Sequence, residues 1–185
     1  MKVGITGGIG SGKSFVCRRL EAIYGIEIYD CDSAAKRLMR TSAAIRSALT
    51  SLIGPGTYAG QRLNKAEVAA FLLASEANAR AIDSIVHPAV AEDFTRSGAQ
   101  WMECAILFES GFDRLVDRVV AVAAPEDVRL RRIMERDGIS ADKASEWMGR
   151  QMSQDEVARR ADFVIINDGG SDIDKQLEQL INTLK

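Results

Sequence analysis

Apolar residues recur along most of the chain in a strand, helix, strand, helix order. Val3 and Ile5 mark a short first strand, and the segment after it carries Phe15, Val16 and Leu20 at helical spacing. Ile26 to Tyr29 reads as a second strand ending at Asp30, and Asp32 to Met39 as a helix with Asp32 near its N-cap. Trp101 to Phe108, Arg118 to Ala123 and Asp162 to Ile166 read as third, fourth and fifth strands. Each is mostly apolar, as expected for a parallel sheet covered on both faces. Helices are expected at Glu126 to Arg136, Ala141 to Gln151 and Asp172 to Leu184. In the last of these Ile173, Leu177, Leu180, Ile181 and Leu184 fall at helical spacing.

One stretch breaks the alternation. From Ala43 to Ser97 the pattern is mainly helical, in AAIRSALTSLI, KAEVAAFLLAS and NARAIDSIVHPAVAEDF, with a Gly/Pro loop at Gly54 to Gly60. His87 precedes Pro88 and is read as ending a helical turn. A parallel crossover needs only about a dozen residues. The excess therefore predicts an inserted helical subdomain over residues 41–97, between core segments 1–40 and 98–185, covering the mouth of a site at the strands' carboxyl ends. With G-x-x-x-x-G-K-[ST] at Gly7 to Ser14 after the first strand, the expected fold is α/β: a five-stranded parallel sheet of the phosphate-loop NTPase type sandwiched by helices, in a single domain.

Composition narrows the function. The 185 residues are 46% hydrophobic and 27% charged, enough for a real core, and the net charge of −2 gives no electrostatic case for nucleic acid. No apolar run approaches 18 residues and the N-terminus enters the first strand without a signal-peptide pattern, so no membrane partner and a cytoplasmic location are expected. Cys17, Cys31 and Cys104 are widely spaced in apolar contexts, which predicts reduced, buried thiols. A zinc site is disfavoured because His87 is the sole histidine.

The residues between the first strand and the first helix fit G-x-x-x-x-G-K-[ST], with Gly7, Gly12, Lys13 and Ser14 in the fixed places. A loop that wraps an oxyanion must turn its amides inward, and Gly7, Gly8, Gly10 and Gly12 are expected to supply the positive φ values this needs. Gly8, Ile9, Gly10, Ser11, Gly12, Lys13, Ser14 and Phe15 would cradle a nucleoside triphosphate at a helix N-terminus. Lys13 adds charge toward the β and γ phosphates and the Ser14 hydroxyl ligates Mg²⁺.

Asp30, Asp32 and Glu109 are expected at the carboxyl ends of strands, where phosphoryl transfer needs a carboxylate to orient and deprotonate an attacking hydroxyl. Asp32 suits that role, with a plain helix cap as the competing reading. Asp30 either braces the loop or touches magnesium. Glu109 either holds a metal-bound water, grips a polar group of the substrate or lies in a solvated turn. In VRLRRIMER the arginines belong to a lid over residues 129–155. Arg132 and Arg136, four residues apart, would close on the β and γ phosphates, while Arg129 and Arg131 read as a solvated face.

Taken together, GITGGIGSGKS, YDCDSAAK, VHPAV, ILFESG, RIMERDGIS, QMS and RADFVIINDG resemble the bacterial dephospho-coenzyme A kinases, in that family's order and over nearly the whole chain. The Asp-x-Asp after the second strand, combined with His-Pro and Leu-Phe-Glu, separates this family from adenylate, shikimate and thymidylate kinases. The resemblance implies a nucleotide core, a helical coenzyme-binding subdomain and a lid. It implies transfer from MgATP to the ribose 3′-hydroxyl of dephospho-coenzyme A, with Asp32 as general base and Asn167 beside the adenine. Asp30, Lys36, Lys65, His87 and Glu109 become candidates for the acceptor site, with Arg37 beside them. The sequence departs from the family pattern at Ala105, where a proline is usual, at Lys65, where arginine is expected, and at Val157, where lysine is common. Two other readings stand beside this one: a kinase of another small acceptor, and a slow nucleotide-hydrolysing switch, against which the missing N-K-x-D speaks.

Overall fold

The computed structural model describes residues 1–184, which fall into two compact units. The first comprises Met1–Tyr29 and the chain from Ala99 onward. It holds β1 (Val3–Thr6), α1 (Lys13–Tyr24) and most of β2 (Ile28–Asp30). The second, Asp30–Gly98, holds α2 (Cys31–Thr41), α3 (Ala43–Ile53), the two-residue strands β3 (Tyr58–Ala59) and β4 (Arg62–Leu63), α4 (Lys65–Ala74) and α5 (Glu76–Ser97). The first unit then resumes with β5 (Trp101–Glu103), β6 (Arg118–Ala123), α6 (Glu126–Asp137), α7 (Ala141–Gly149), α8 (Gln154–Arg160), β7 (Phe163–Ile166) and α9 (Ile173–Leu184).

The five-stranded sheet has the order β2-β5-β1-β6-β7. β1 is parallel to both β5 and β6, and β6 to β7, in the register Ile5 opposite Glu103 and Val120, and Ala123 opposite Ile166. The carboxyl ends of these four strands therefore share one edge, from which the loop after β1 departs. On one face Val3, Ile5 and Val122 meet Val16 and Leu20 of α1 and Leu177 of α9 in a solvent-free cluster. On β1 itself Gly4 makes room for Leu107: a Cβ there would stand 3.0 Å from a Leu107 methyl. No helix among the described residues is long and apolar enough to cross a membrane.

The third strand is shorter than its apolar run predicts. It ends at Glu103, and residues 105–111 turn. Here the carbonyls of Ile106, Leu107 and Phe108 accept from Ser110, Phe112 and Gly111 a few residues on, so no backbone is left to extend a ladder. The run is apolar because Leu107 is fully buried, not because it is a strand. α8 was not expected. Its signal lies in Ser153 and Glu156, a serine N-cap with an acid three residues on, and the Ser153 hydroxyl accepts the Glu156 amide at 3.3 Å.

The helical unit starts at Asp30, ahead of the expected boundary at 41, because α2 packs on α5 and Arg37 pairs with Asp93. The Gly/Pro loop is ordered as a small hairpin. Arg46 stacks 4.3 Å from the Tyr58 ring and donates to Gly60 O at 2.6 Å, while Tyr58 Oη donates to Met39 O at 2.7 Å.

α5 runs through Pro88 without ending, contrary to the sequence expectation at His87. Ile82, Val86, Val90 and Phe94, four residues apart, are all buried, and that stripe holds the helix across the residue that cannot donate. His87 pairs with Asp83 one turn earlier, at 3.4 Å. An interior helical proline costs about 3 kcal/mol relative to alanine, partly offset because proline also restricts the unfolded chain. Pro88 is exposed, so Pro88→Ala is expected to raise stability by about 1–2 kcal/mol, seen as a higher denaturant midpoint with unchanged m. A lower midpoint would mean that Pro88 makes a packing contact alanine cannot replace.

Candidate active site

The loop from Gly7 to Gly12 is held in shape by its carbonyls, each of which has a donor. Gly7 O accepts from Lys13 Nζ at 2.7 Å, Gly8 O from the Ser11 amide at 3.1 Å, and Ile9 O from Arg129 Nε at 2.9 Å. Gly10 O accepts from Arg132 Nη1 at 3.3 Å, Ser11 O from Asn167 Nδ2 at 2.9 Å, and Gly12 O from the Phe15 and Val16 amides as α1 begins. Three of the donors, Lys13, Arg129 and Arg132, are cations. With the carbonyls drawn off by protein groups, and the Ile9 and Ser11 amides taken by Gln151 and Gly8 O, the remaining loop amides and the N-terminus of α1 are left for an anion.

Gly7, Gly10 and Gly12 have positive φ, whereas Gly8 does not. Gly8 lies close under Arg129: a Cβ there would stand 2.4 Å from Arg129 Nη2 and push the guanidinium aside. Gly12 meets both demands, with φ of 89° and a virtual Cβ 2.0 Å from Asn167 Nδ2. Ser11 Oγ is buried without a hydrogen-bond partner, lying against Gly7. Phe15 is 43% exposed on the first turn of α1, beside Ser14.

Ser14 Oγ donates to Glu103 Oε1 at 2.9 Å, so a hydroxyl and a carboxylate converge at the end of β5. Glu103 escaped the sequence reading, although an acid terminating an apolar strand next to the loop strand was a usable signal. The same carboxylate stands by Cys17. Burial, and after it Glu103, pushes the Cys17 thiol well above its ordinary range, which keeps it protonated and unreactive. All three cysteines are buried, as expected, and none is in a disulfide among the described residues.

On α6 the structure reverses part of the expected division of arginines. Arg129 is 7% exposed and points at the loop; it is not on a solvated face, because its spacing of three from Arg132 puts both on one side of the helix. Burial lowers its pKa from the ordinary value, opposed by Glu126, and the guanidinium stays charged. Arg132 Nη1 also donates to Asn167 O at 3.0 Å, so Arg132 and Asn167 together frame the loop. Arg136 is exposed and pairs with Asp137, and Arg131 is exposed as expected.

The segment after α7 reaches the same loop. Gln151 Oε1 accepts the Ile9 amide at 2.7 Å, and Glu109 Oε1 accepts the Met152 amide at 3.0 Å. Phe108 lies 4.0 Å beneath the Arg160 guanidinium, so Leu107, Phe108 and Glu109 each have a local partner. Val157, one of the three departures, is 5% exposed on α8, which packs on β6; lysine would be ill suited to that position. Ala105 starts the turn after β5.

The remaining candidates belong to the helical unit. Asp30, not Asp32, is the N-cap of α2, accepting from the Ser33 amide at 3.1 Å and the Ser33 hydroxyl at 2.6 Å. The helix starts one residue earlier than expected, which moves Asp32 into the first turn with an exposed side chain. Lys36 is exposed on α2 and Lys65 is exposed at the first position of α4. The structure thus gathers the loop, Lys13, Ser14, Glu103, Arg129, Arg132, Gln151 and Asn167 within the first unit. Asp30, Asp32, Lys36, Lys65 and His87 lie in the second.

The sequence model of the family described as dephospho-CoA kinase matches residues 1–172. A protein named dephospho-CoA kinase from Bacteroides fragilis (strain YCH46) is 41% identical over 192 residues, covering 98% of this chain and 91% of its own. One of the same name from Porphyromonas gingivalis is 39% identical, covering 99% and 94%. The crystal structure of TT1252 from Thermus thermophilus superposes with a TM-score of 0.84 at 30% identity, covering 100% of this chain and 98% of that one. With its phosphate loop framed from α6 and β7 as described, the chain belongs to the dephospho-CoA kinase family.

Proposed function

We propose that the protein transfers the γ-phosphoryl group of ATP to the 3′-hydroxyl of dephospho-coenzyme A, giving coenzyme A and ADP. The observation that carries the reading is the loop whose carbonyls are all engaged by protein donors, in a chain of this family. Phosphoryl transfer asks little covalent work of a protein; it asks for charge on the phosphates and a positioned nucleophile. Lys13 leaves Gly7 O for the β and γ oxygens when ATP binds. Arg136 exchanges Asp137 for the transferred phosphate, while Arg132 keeps the loop and Asn167 in place beside the nucleotide. Gly8, Ile9, Gly10, Ser11, Gly12, Ser14 and Phe15 complete the nucleotide cradle.

The hard oxygen donors Ser14 Oγ and Glu103 Oε1, 2.9 Å apart, suit Mg²⁺, which favours one or two carboxylates together with substrate phosphates. Ser14 would hold it, with Glu103 alongside. When bound, the ion neutralises charge developing on the β and γ oxygens.

In the second unit Asp32 orients and deprotonates the 3′-hydroxyl, and its exposed carboxylate at a helix start is ready to accept that proton. Asp30 braces the turn that presents it. Lys36, Arg37 and Lys65 supply charge for the acceptor's phosphates, with His87 on the same unit, and Glu109 holds the segment at Met152. We assign residues 129–155 to the lid and the helical unit to coenzyme binding, and assign the enzyme to the cytoplasm.

Offering the purified protein dephospho-coenzyme A, AMP, dTMP, shikimate and pantothenate separately with MgATP tests the acceptor. Phosphorylated product and ADP should appear with dephospho-coenzyme A alone. Phosphorylation of AMP or dTMP in its place would replace the acceptor and leave the kinase class standing.

A further inference from the structure

Arg129 touches neither nucleotide nor acceptor in the scheme above, yet it is among the few charged side chains buried in the described residues. Its Nε donates to Ile9 O at 2.9 Å, and its Nη2 occupies the space a side chain at residue 8 would need. Gly8 has no positive φ, so its backbone would accept alanine, whose methyl would have to displace the Arg129 guanidinium. On the other side of Ile9, a Cβ at Gly10 would come 2.7 Å from Arg129's own carbonyl oxygen. Two of the loop glycines are therefore shaped around this one residue.

The peptide between Ile9 and Gly10 is the weak point of the loop. Gly10 has φ of 80°, and a glycine at that position rotates its preceding peptide at little cost. Turning that peptide over would aim Ile9 O at the anion, replacing an attraction by a repulsion. We propose that Arg129 is a positioning residue for the nucleotide: by holding Ile9 O away from the cradle it keeps the loop in its anion-accepting form. Gln151 secures the neighbouring peptide from the other end, accepting the Ile9 amide at 2.7 Å. The inference rests on the nucleotide site proposed above and deepens it.

The test is ATP binding by titration calorimetry, together with KM for ATP and for the acceptor, in Arg129→Met, Arg129→Lys, Gly8→Ala and the double variant Gly8→Ala/Arg129→Met, with the exposed Arg131→Gln as control. Loss of a charged hydrogen bond predicts ATP binding weaker by about ten- to hundredfold in Arg129→Met, with acceptor KM little changed. Arg129→Lys should recover part of the loss because it restores a charged donor. Gly8→Ala leaves Arg129 in the chain but pushes its guanidinium aside, so it should weaken ATP binding similarly. The double variant should then be no worse than the poorer single one. ATP binding in Arg129→Met within twofold of wild type would overturn the proposal, as would lysine rescuing no better than methionine, or losses that add in the double variant. If Arg129→Met does not fold, Gly8→Ala decides: unchanged ATP binding there overturns it. A wild-type protein that binds no ATP would overturn the nucleotide site itself, and is distinguished by failing before any variant is compared.

Discussion

Lys13→Ala is expected to cut turnover by about two to three orders of magnitude while the protein stays folded. Removing one preorganised charge at a phosphoryl-transfer site costs on the order of 3–4 kcal/mol of barrier. In the structure the ammonium holds Gly7 O at 2.7 Å, a contact that it gives up for the phosphates in the proposed transfer. Its loss removes the charge proposed to follow the γ-phosphate and, before ATP binds, takes away the donor on Gly7 O. Lys13 is half-buried on the first turn of α1, where alanine is a good helix former, so the far-ultraviolet spectrum and unfolding midpoint should change little. Steady-state kcat measured on protein shown to be folded checks the effect. Activity at the wild-type level would remove the loop from the catalytic machinery.

Asp32→Asn is expected to lower kcat by about 10²- to 10⁴-fold, the range for a lost general base, with ATP affinity nearly unchanged. The structure sharpens this experiment, because it removes the competing explanation. The helix cap belongs to Asp30, whose carboxylate accepts both the amide and the hydroxyl of Ser33. Asp32 lies one residue into the helix, where its charge contributes only the modest stabilisation of an acid at a helix N-terminus, about 0.3–1 kcal/mol. A near-normal kcat in Asp32→Asn would reduce the residue to that contribution. A strong fall in kcat with an unchanged unfolding midpoint cannot be a capping effect.

Much of the architecture was legible because it rests on short-range signals. The limits of β6 at Arg118 and Ala123 follow from one apolar run, and α9 from apolar residues at helical spacing. The phosphate loop is legible because glycine, lysine and serine at fixed offsets have few other uses together. Most of what escaped the sequence depends on contacts between residues far apart in the chain. The run after Glu103 looked like strand because burial against Gly4 selects the same residues that a sheet does. Arg129 looked solvated because an arginine usually is, and only its partner at Ile9, 120 residues away, shows otherwise. Gln151 was legible only as part of Gln-Met-Ser and Glu103 only as an acid after apolar residues; their contacts with Ile9 and Ser14 depend on where the segment after α7 and the end of β5 arrive in space. Pro88 misled for a different reason: local chemistry disfavours helix there, and four buried apolar residues on α5 outweigh it.

The two arginines that hold the loop's carbonyls both stand on α6, and this ties the loop mechanically to that helix. A displacement of α6 cannot leave the peptides at Ile9 and Gly10 where they are, and a nucleotide that fixes those peptides must in turn restrict α6. Thermodynamic reciprocity then applies. Any molecule that grips α6 more firmly in this position tightens the hold on ATP by the same factor by which ATP tightens the hold on that molecule. A helix that on sequence alone reads as a lid is thereby also joined to the loop from outside, through hydrogen bonds to two successive carbonyls.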